Sequence, residues 1–189
     1  MKQKLSLFIS NSISITENET DFILSLFKPI HLKKNDFFIE IGDVCDQIAF
    51  VNMGLIRSYY LNYNNEDTTC SFSCSNEFVT SFSSFFSNSL ATNSVQAIVS
   101  TELFVISKKD LELLYIKIPT TQLLFRKVSE NLTSNMSKQT FLFLNYSARE
   151  RYELFLKEVY SYFNLIPSKC VASYLGISTQ HLLRIKKSL

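Results

Sequence analysis

The chain reads as an α+β protein with an N-terminal β jelly roll, one long helix and a C-terminal helix-turn-helix, divided at 1–118, 119–146 and 147–189. Three observations predict this order. Between Ile30 and Val105 short apolar runs follow a period near two and are separated by turn residues. From Pro119 onward Leu124, Val128, Leu132, Met136 and Leu142 or Phe143 recur at spacings of a helical stripe. Ser168 to Lys187 then reads as two short helices around one glycine, Gly176.

A chain of 189 residues can form one large domain or two small ones, and either can bury a core. Its 46% hydrophobic and 19% charged content indicates a folded protein, and 17 Phe with 9 Tyr suit strands better than a helical bundle. No apolar run approaches the roughly 18 residues that cross a bilayer, and the first residues turn polar too early for a secretory signal. The expected location is the cytoplasm, without a membrane partner. Cys45, Cys70, Cys74 and Cys170 then read as reduced thiols. Cys70 and Cys74 on one strand face would lie about 13 Å apart, too far to share a zinc ion, so neither a metal nor a cofactor is expected.

Ile15, Phe22, Ile23, Leu26 and Phe27 fall at helical spacing, with Thr16 and Glu19 forming a capping box at the start and Pro29 closing the helix. The runs FFIEI, QIAFV and LIRSYYLNY follow as strands, and further strands are expected at Thr68 to Ser73, Ser94 to Val99 and Leu103 to Ile106. Gly42 and Gly54 stand where strands reverse, and glycine there supplies a backbone angle that other residues resist. About eight short strands imply a barrel or double-sheet jelly roll. Asn76 to Asn93 breaks the alternation and is expected to cover the barrel as a loop with a short helix, its four Phe plugging the interior.

A helix is expected after Asp110, and Pro119 is expected to open a longer one as its first residue. Asn131, Asn135 and Gln139 lie close to the apolar stripe of that longer helix. Polar residues in such a seam set register, so the stripe points to a homodimer. Residues 147–166 supply another amphipathic helix with Tyr152, Phe155, Leu156 and Val159 inward, and Pro167 resets the chain.

In the last segment Val171, Ala172 and Leu175 share one face, and Leu182 with Ile185 form the inner face of the second helix, for which Ser178 is the N-cap. Thr179, Gln180, Leu183, Arg184 and Lys187 remain outside. That composition fits a helix laid into the major groove of DNA, and it also fits a helical hairpin packed on a core with a polar outer face. Charge bears on the choice. After Glu158 the chain carries Lys169, Arg184, Lys186 and Lys187 and no acid, whereas the residues before hold 15 bases and 17 acids. A basic end on a slightly acidic body is the footprint of a segment that meets phosphate.

Strands, a long helix and a basic two-helix unit in this order resemble the Crp/Fnr family of bacterial transcription regulators over nearly the whole chain. The likeness rests on Gly42-Asp43 and Gly54, Asn76-Glu77-Phe78, Ile106-Ser107 and IPSKCVASYLGISTQHLLRIKK. It implies a cyclic-nucleotide-binding-like jelly roll, a helix that pairs two subunits, and a helix-turn-helix that reads double-stranded DNA. By the same likeness Arg184 matches the recognition-helix arginine, Gln180 stands where a glutamate is usual, and Glu77 with Thr92 fall at the ligand-binding segment. Members that bind cyclic AMP hold its phosphate with an arginine whose place here falls near Ala91, and glycine is replaced by Asn76. No basic residue lies between Arg57 and Lys108. A cyclic phosphate buried without an opposite charge is costly, so cyclic AMP is not the expected ligand, and any small-molecule effector is unidentified.

The expected function is a DNA-binding transcriptional regulator. Lys169, Lys186 and Lys187 would dock on phosphates, Gln180 and Arg184 would read base edges, and Ser168, Ser178 and Thr179 complete the expected DNA-binding set. The alternative is a non-catalytic sensor or protein-interaction module with a degenerate helix-turn-helix, which the exposed Leu183 and the lack of a following wing favour. An enzyme is not expected, because His31 and His181 are the only histidines and no nucleophile elbow or phosphate-cradling glycine loop is present.

Overall fold

Alternating apolar residues fold eight short strands into two four-stranded antiparallel sheets that face each other. The computed structural model describes residues 2–159 and 161–188. The first sheet holds β1 (Lys28–Leu32), β8 (Thr101–Ser107), β3 (Gln47–Met53) and β6 (Phe78–Val79), in that spatial order. The second holds β2 (Phe37–Ile39), β7 (Asn93–Ala97), β4 (Ile56–Leu61) and β5 (Asp67–Ser73). The arrangement is the expected jelly roll. Pro29 lies in β1, an edge strand where a missing N–H is tolerated.

Turn chemistry sets the reversals. Gly54 has φ +112°, and a Cβ there would stand 2.7 Å from the Thr101 backbone, so glycine is required on both counts. Asn76, at the position where glycine was expected from the resemblance, adopts φ +74°, a conformation that asparagine tolerates better than other side chains.

Helices α1 (Gln3–Ser12) and α2 (Glu17–Leu26) precede the sheets. The Thr16–Glu19 capping box is formed as expected. The first helix was not read from the sequence, because Leu5, Leu7 and Ile9 alternate like a strand. In the fold Leu5 and Ile9 are buried one turn apart, while Leu7 is exposed. Phe8 carries α1 into an aromatic chain through Phe50, Phe78 and Phe125, with centroid separations of 5.3–6.0 Å.

The segment after β5 contains β6 and the short α3 (Phe82–Ser87). Of its four Phe only Phe78 and Phe85 are buried. Phe86 is 63% exposed, because a one-and-a-half-turn helix can aim only one side inward.

Helix α4 (Lys108–Lys117) is capped by Ser107, and α5 (Thr121–Asn145) begins two residues after Pro119. The α5 stripe serves two surfaces instead of one. Leu124, Phe125 and Val128 are buried in the jelly-roll core, whereas Met136, Phe141 and Leu144 are exposed, since only the first half of the helix lies against the sheets. Helix α6 (Ala148–Glu158), a 3-10 turn (Phe163–Leu165), α7 (Ser168–Tyr174) and α8 (Thr179–Lys187) complete the chain. No helix among the described residues is long and apolar enough to cross a membrane.

Candidate functional site

The C-terminal helices are built as their spacing predicts. Val171, Ala172, Leu175, Leu182 and Ile185 are buried together, and Gly176 turns the chain at φ +67°. The Ser178 hydroxyl accepts from the His181 N–H at 3.1 Å and so caps α8. Thr179, Gln180, Leu183, Arg184 and Lys187 are exposed along the outer side of α8. Arg184, Lys186 and Lys187 fall in its last turn, where cations complement the helix dipole.

The basic residues expected to dock on phosphate have different surroundings. Lys169 Nζ lies 2.9 Å from the Asp67 carboxylate on β5. Lys186 Nζ sits over the Phe163 ring at 5.1 Å and donates to the Ser168 hydroxyl at 3.4 Å. Arg184 and Lys187 have no protein partner among the described residues. The free cationic surface of the helix-turn-helix is therefore narrower than its sequence suggests.

The unit is gripped from two sides. Leu55 and Ile98 of the jelly roll share one core with Tyr152, Phe155, Val171 and Leu182, and Phe72 packs edge-on against Tyr174 at 5.2 Å. The Gly54 N–H donates to the Tyr162 hydroxyl at 3.3 Å. On the other side, the Gln139 side chain of α5 donates to the Tyr174 hydroxyl, and Lys138 pairs with Glu158 at 2.6 Å. The Arg151 guanidinium lies over Phe143 at 4.7 Å and donates to the Leu175 carbonyl at 2.9 Å, clamping the end of α7. Phe143, expected in the dimer stripe, is thus occupied by the turn of its own chain.

Arg57, 4% exposed on β4, was not singled out as functional by sequence. It stacks on Tyr59 at 4.5 Å, donates to Thr69 Oγ1 at 2.7 Å and reaches Asp67 at 2.6 Å. Partial burial would raise the Asp67 pKa, but the hydrogen bonds and charges of Lys169 and Arg57 outweigh it and hold the carboxyl below its usual range.

Inside the jelly roll, the segment expected to meet a ligand is closed on itself. Buried Ser81 donates to Asn93 at 2.6 Å. The Ser84 hydroxyl accepts from Cys45 N–H at 2.8 Å and donates to the Ser89 carbonyl at 2.6 Å. Thr80 donates to the Gln47 carbonyl at 2.7 Å. Lys108 Nζ caps the end of α3, donating to the Phe85 carbonyl and the Asn88 side chain, both at 2.9 Å. Ala91 is strapped to the Gly42-Asp43 turn through two backbone bonds of 2.7 and 2.9 Å.

Glu77 and Thr92 share no hydrogen bond. Thr92 is exposed beside Ala91. Glu77 keeps solvent access, but its carboxylate accepts from Cys74 N–H at 2.8 Å and faces Glu158 of α6. Desolvation and that neighbouring charge raise its pKa, and desolvation with the charges of Glu77 and Glu158 pushes the Cys74 thiol up to about 11. The Glu77 carboxylate, which the resemblance puts at the ligand-binding segment, is engaged by the backbone of its own turn. Among the described residues no three metal-ligating side chains converge, and all four cysteines are free.

Residues 29–117 match the cyclic nucleotide-binding domain family. No curated protein sequence matches the chain significantly. Among solved structures, FixK2 from Bradyrhizobium japonicum aligns with a TM-score of 0.71 at 15% identity, covering 86% of this chain and 84% of that one. The c-di-GMP responsive global regulator CLP from Xanthomonas campestris aligns with a TM-score of 0.72 at 13% identity, over 92% and 91% of the two chains. A protein assigned to the Crp/Fnr transcriptional regulators, from Eubacterium rectale, gives 0.71 at 16% identity over 92% and 83%. At these identities the likeness is one of fold, and it spans sheets, long helix and terminal helices together: residues 29–117 are similar to the cyclic nucleotide-binding domain family, and the chain as a whole shares its fold with these Crp/Fnr-type structures.

Proposed function

We propose that this chain is a cytoplasmic, homodimeric DNA-binding transcriptional regulator of Crp/Fnr type that acts without cyclic AMP. The observation that carries the reading is α8: its inner face is buried through Leu182 and Ile185, while Thr179, Gln180, Arg184 and Lys187 project to solvent. A helix so presented can enter the major groove, with Gln180 and Arg184 matched to adenine and guanine edges and Lys187 to phosphate. The second copy would pair along the exposed half of α5 and repeat the reading helix at the other half-site.

Independence from cyclic AMP is supported by the hydroxyl network of Thr80, Ser81, Ser84 and Asn93, which satisfies its own polar groups, and by the absence of a basic residue in the sequence between Arg57 and Lys108. Lys108 reaches this segment, but its ammonium is already engaged by the Phe85 carbonyl and the Asn88 side chain, and burying a phosphate without a free cation is unfavourable. Isothermal titration is expected to show no cyclic AMP binding at micromolar concentration, and binding in that range would overturn this part.

The test of the main reading is affinity for duplex DNA measured across salt concentrations. A regulator gives a steep salt slope and a preferred sequence recovered by selection. A protein-interaction module, the reading that the 47% exposure of Leu183 favours, gives neither.

A further inference from the structure

The edge of β5 is covered, and by the helix-turn-helix. β5 pairs with β4 on one side only, so its outer N–H and C=O groups are open to pairing. Ser173 of α7 meets both types with one hydroxyl. It accepts from the Thr69 N–H at 2.8 Å and donates to the Asp67 carbonyl at 3.3 Å. One turn earlier on the same helix, Lys169 reaches the Asp67 carboxylate at 2.9 Å. Asp67 is itself held by buried Arg57 of β4, which stacks on Tyr59 of the same strand and donates to Thr69 of β5. A serine hydroxyl offers one donor and two acceptor sites, so this geometry uses its donor and fixes α7 in register along the strand.

From this geometry we infer that β5 is a latch: Ser173 on the strand edge and Lys169 on Asp67 hold the helix-turn-helix in one orientation on the jelly roll with no effector bound. The inference deepens the DNA-binding reading, since the orientation of α7 sets that of α8. Its physical core does not depend on DNA. The latch lies on β4 and β5, whereas the closed segment around α3 joins β6 to β7, so the orientation is set away from the region where a cyclic-nucleotide-binding domain would take its ligand. Switching would then require release of the β5 edge.

Hydrogen exchange on the full chain, without DNA or ligand, tests this. In the wild-type protein the Thr69 amide is expected to be protected at least tenfold more than an open edge amide, although no strand pairs on that side. Ser173→Ala removes both edge bonds without adding volume and is expected to raise exchange at Thr69 and through α7 and α8 by tenfold or more, leaving Leu103 to Ile106 unchanged. Lys169→Gln, an exposed change that cannot unfold the core, is expected to raise exchange through α7 and α8 by several-fold. Unprotected Thr69 in the wild type would overturn the latch. So would α8 protection unchanged in both variants, and so would loss of protection at Leu103 to Ile106 in Ser173→Ala combined with no effect of Lys169→Gln. Because no DNA is present, failure here is separate from failure to bind a duplex.

Discussion

The Phe143 ring packs so closely over Gly176 that a Cβ on the glycine would stand 2.7 Å from Cε1 of the ring. The last turn of α5 thereby touches the turn of the helix-turn-helix. Gly176 also has φ +67°, where an L side chain costs about 1–2 kcal/mol. Gly176→Ala should lower unfolding free energy by about 2 kcal/mol or more in urea titrations, because ring displacement adds to the backbone term. Adding Phe143→Ala should recover only the steric part, leaving the variant less stable than Phe143→Ala alone.

The outer face of α8 gives a paired prediction. Arg184→Ala should cost about 1–3 kcal/mol at the preferred sequence and relax discrimination there. Lys187→Ala should weaken all sequences alike and reduce the salt slope by about one. Lys169→Ala should change the slope less than Lys187→Ala, since its ammonium is paired with Asp67. Gel-shift titrations across salt, with the three variants in parallel, check this ordering.

Dimerisation is expected to depend on the exposed half of α5. Met136 and Leu144 are 70% and 79% exposed and support nothing within the chain, so Met136→Glu with Leu144→Glu should leave folding intact. Sedimentation equilibrium should then show a mass half that of the parent. A dimer of unchanged mass would exclude this face as the pairing surface.

Glu77 predicts a pH dependence. Desolvation and Glu158 raise its folded pKa above the ordinary 4.5. A group with a raised folded pKa stabilises the fold below the unfolded value, and that contribution is lost as pH rises through the folded value. Unfolding free energy should therefore increase as pH falls from neutrality toward about 4.5. Glu77→Gln keeps an acceptor for the Cys74 N–H without the charge. It should be more stable than the parent at pH 7 and should flatten the increase, as read by urea titrations at pH 7 and 5.

Local chemistry was legible wherever neighbours in sequence are neighbours in space. The Thr16–Glu19 box, the strand alternation, the positive φ at Gly42, Gly54 and Gly176, and the Ser178 cap all depend on spans of a few residues. The inner and outer faces of α8 were legible for the same reason, since helical period alone divides them. Helix α1 was not assigned from sequence, since the short run of Leu5, Leu7 and Ile9 fits a strand pattern as well as a helical one.

What the tertiary structure decided is which of these faces remain free. By sequence, Lys169 and Lys186 are as cationic as Lys187, and Phe143 belongs to the same stripe as Met136. Folding brings Asp67 to Lys169, Phe163 to Lys186 and Gly176 to Phe143, while Lys187 and Met136 are left in solvent. Such pairings join residues as far apart as Thr69 and Ser173, a separation of 104 positions that no local periodicity encodes. The sequence by itself determined most of the elements and the basic outer face of α8. The docking of α7 on the β5 edge came only with the packing of jelly roll, α5 and helix-turn-helix around shared apolar side chains, because contact between distant segments is set by burial and shape together.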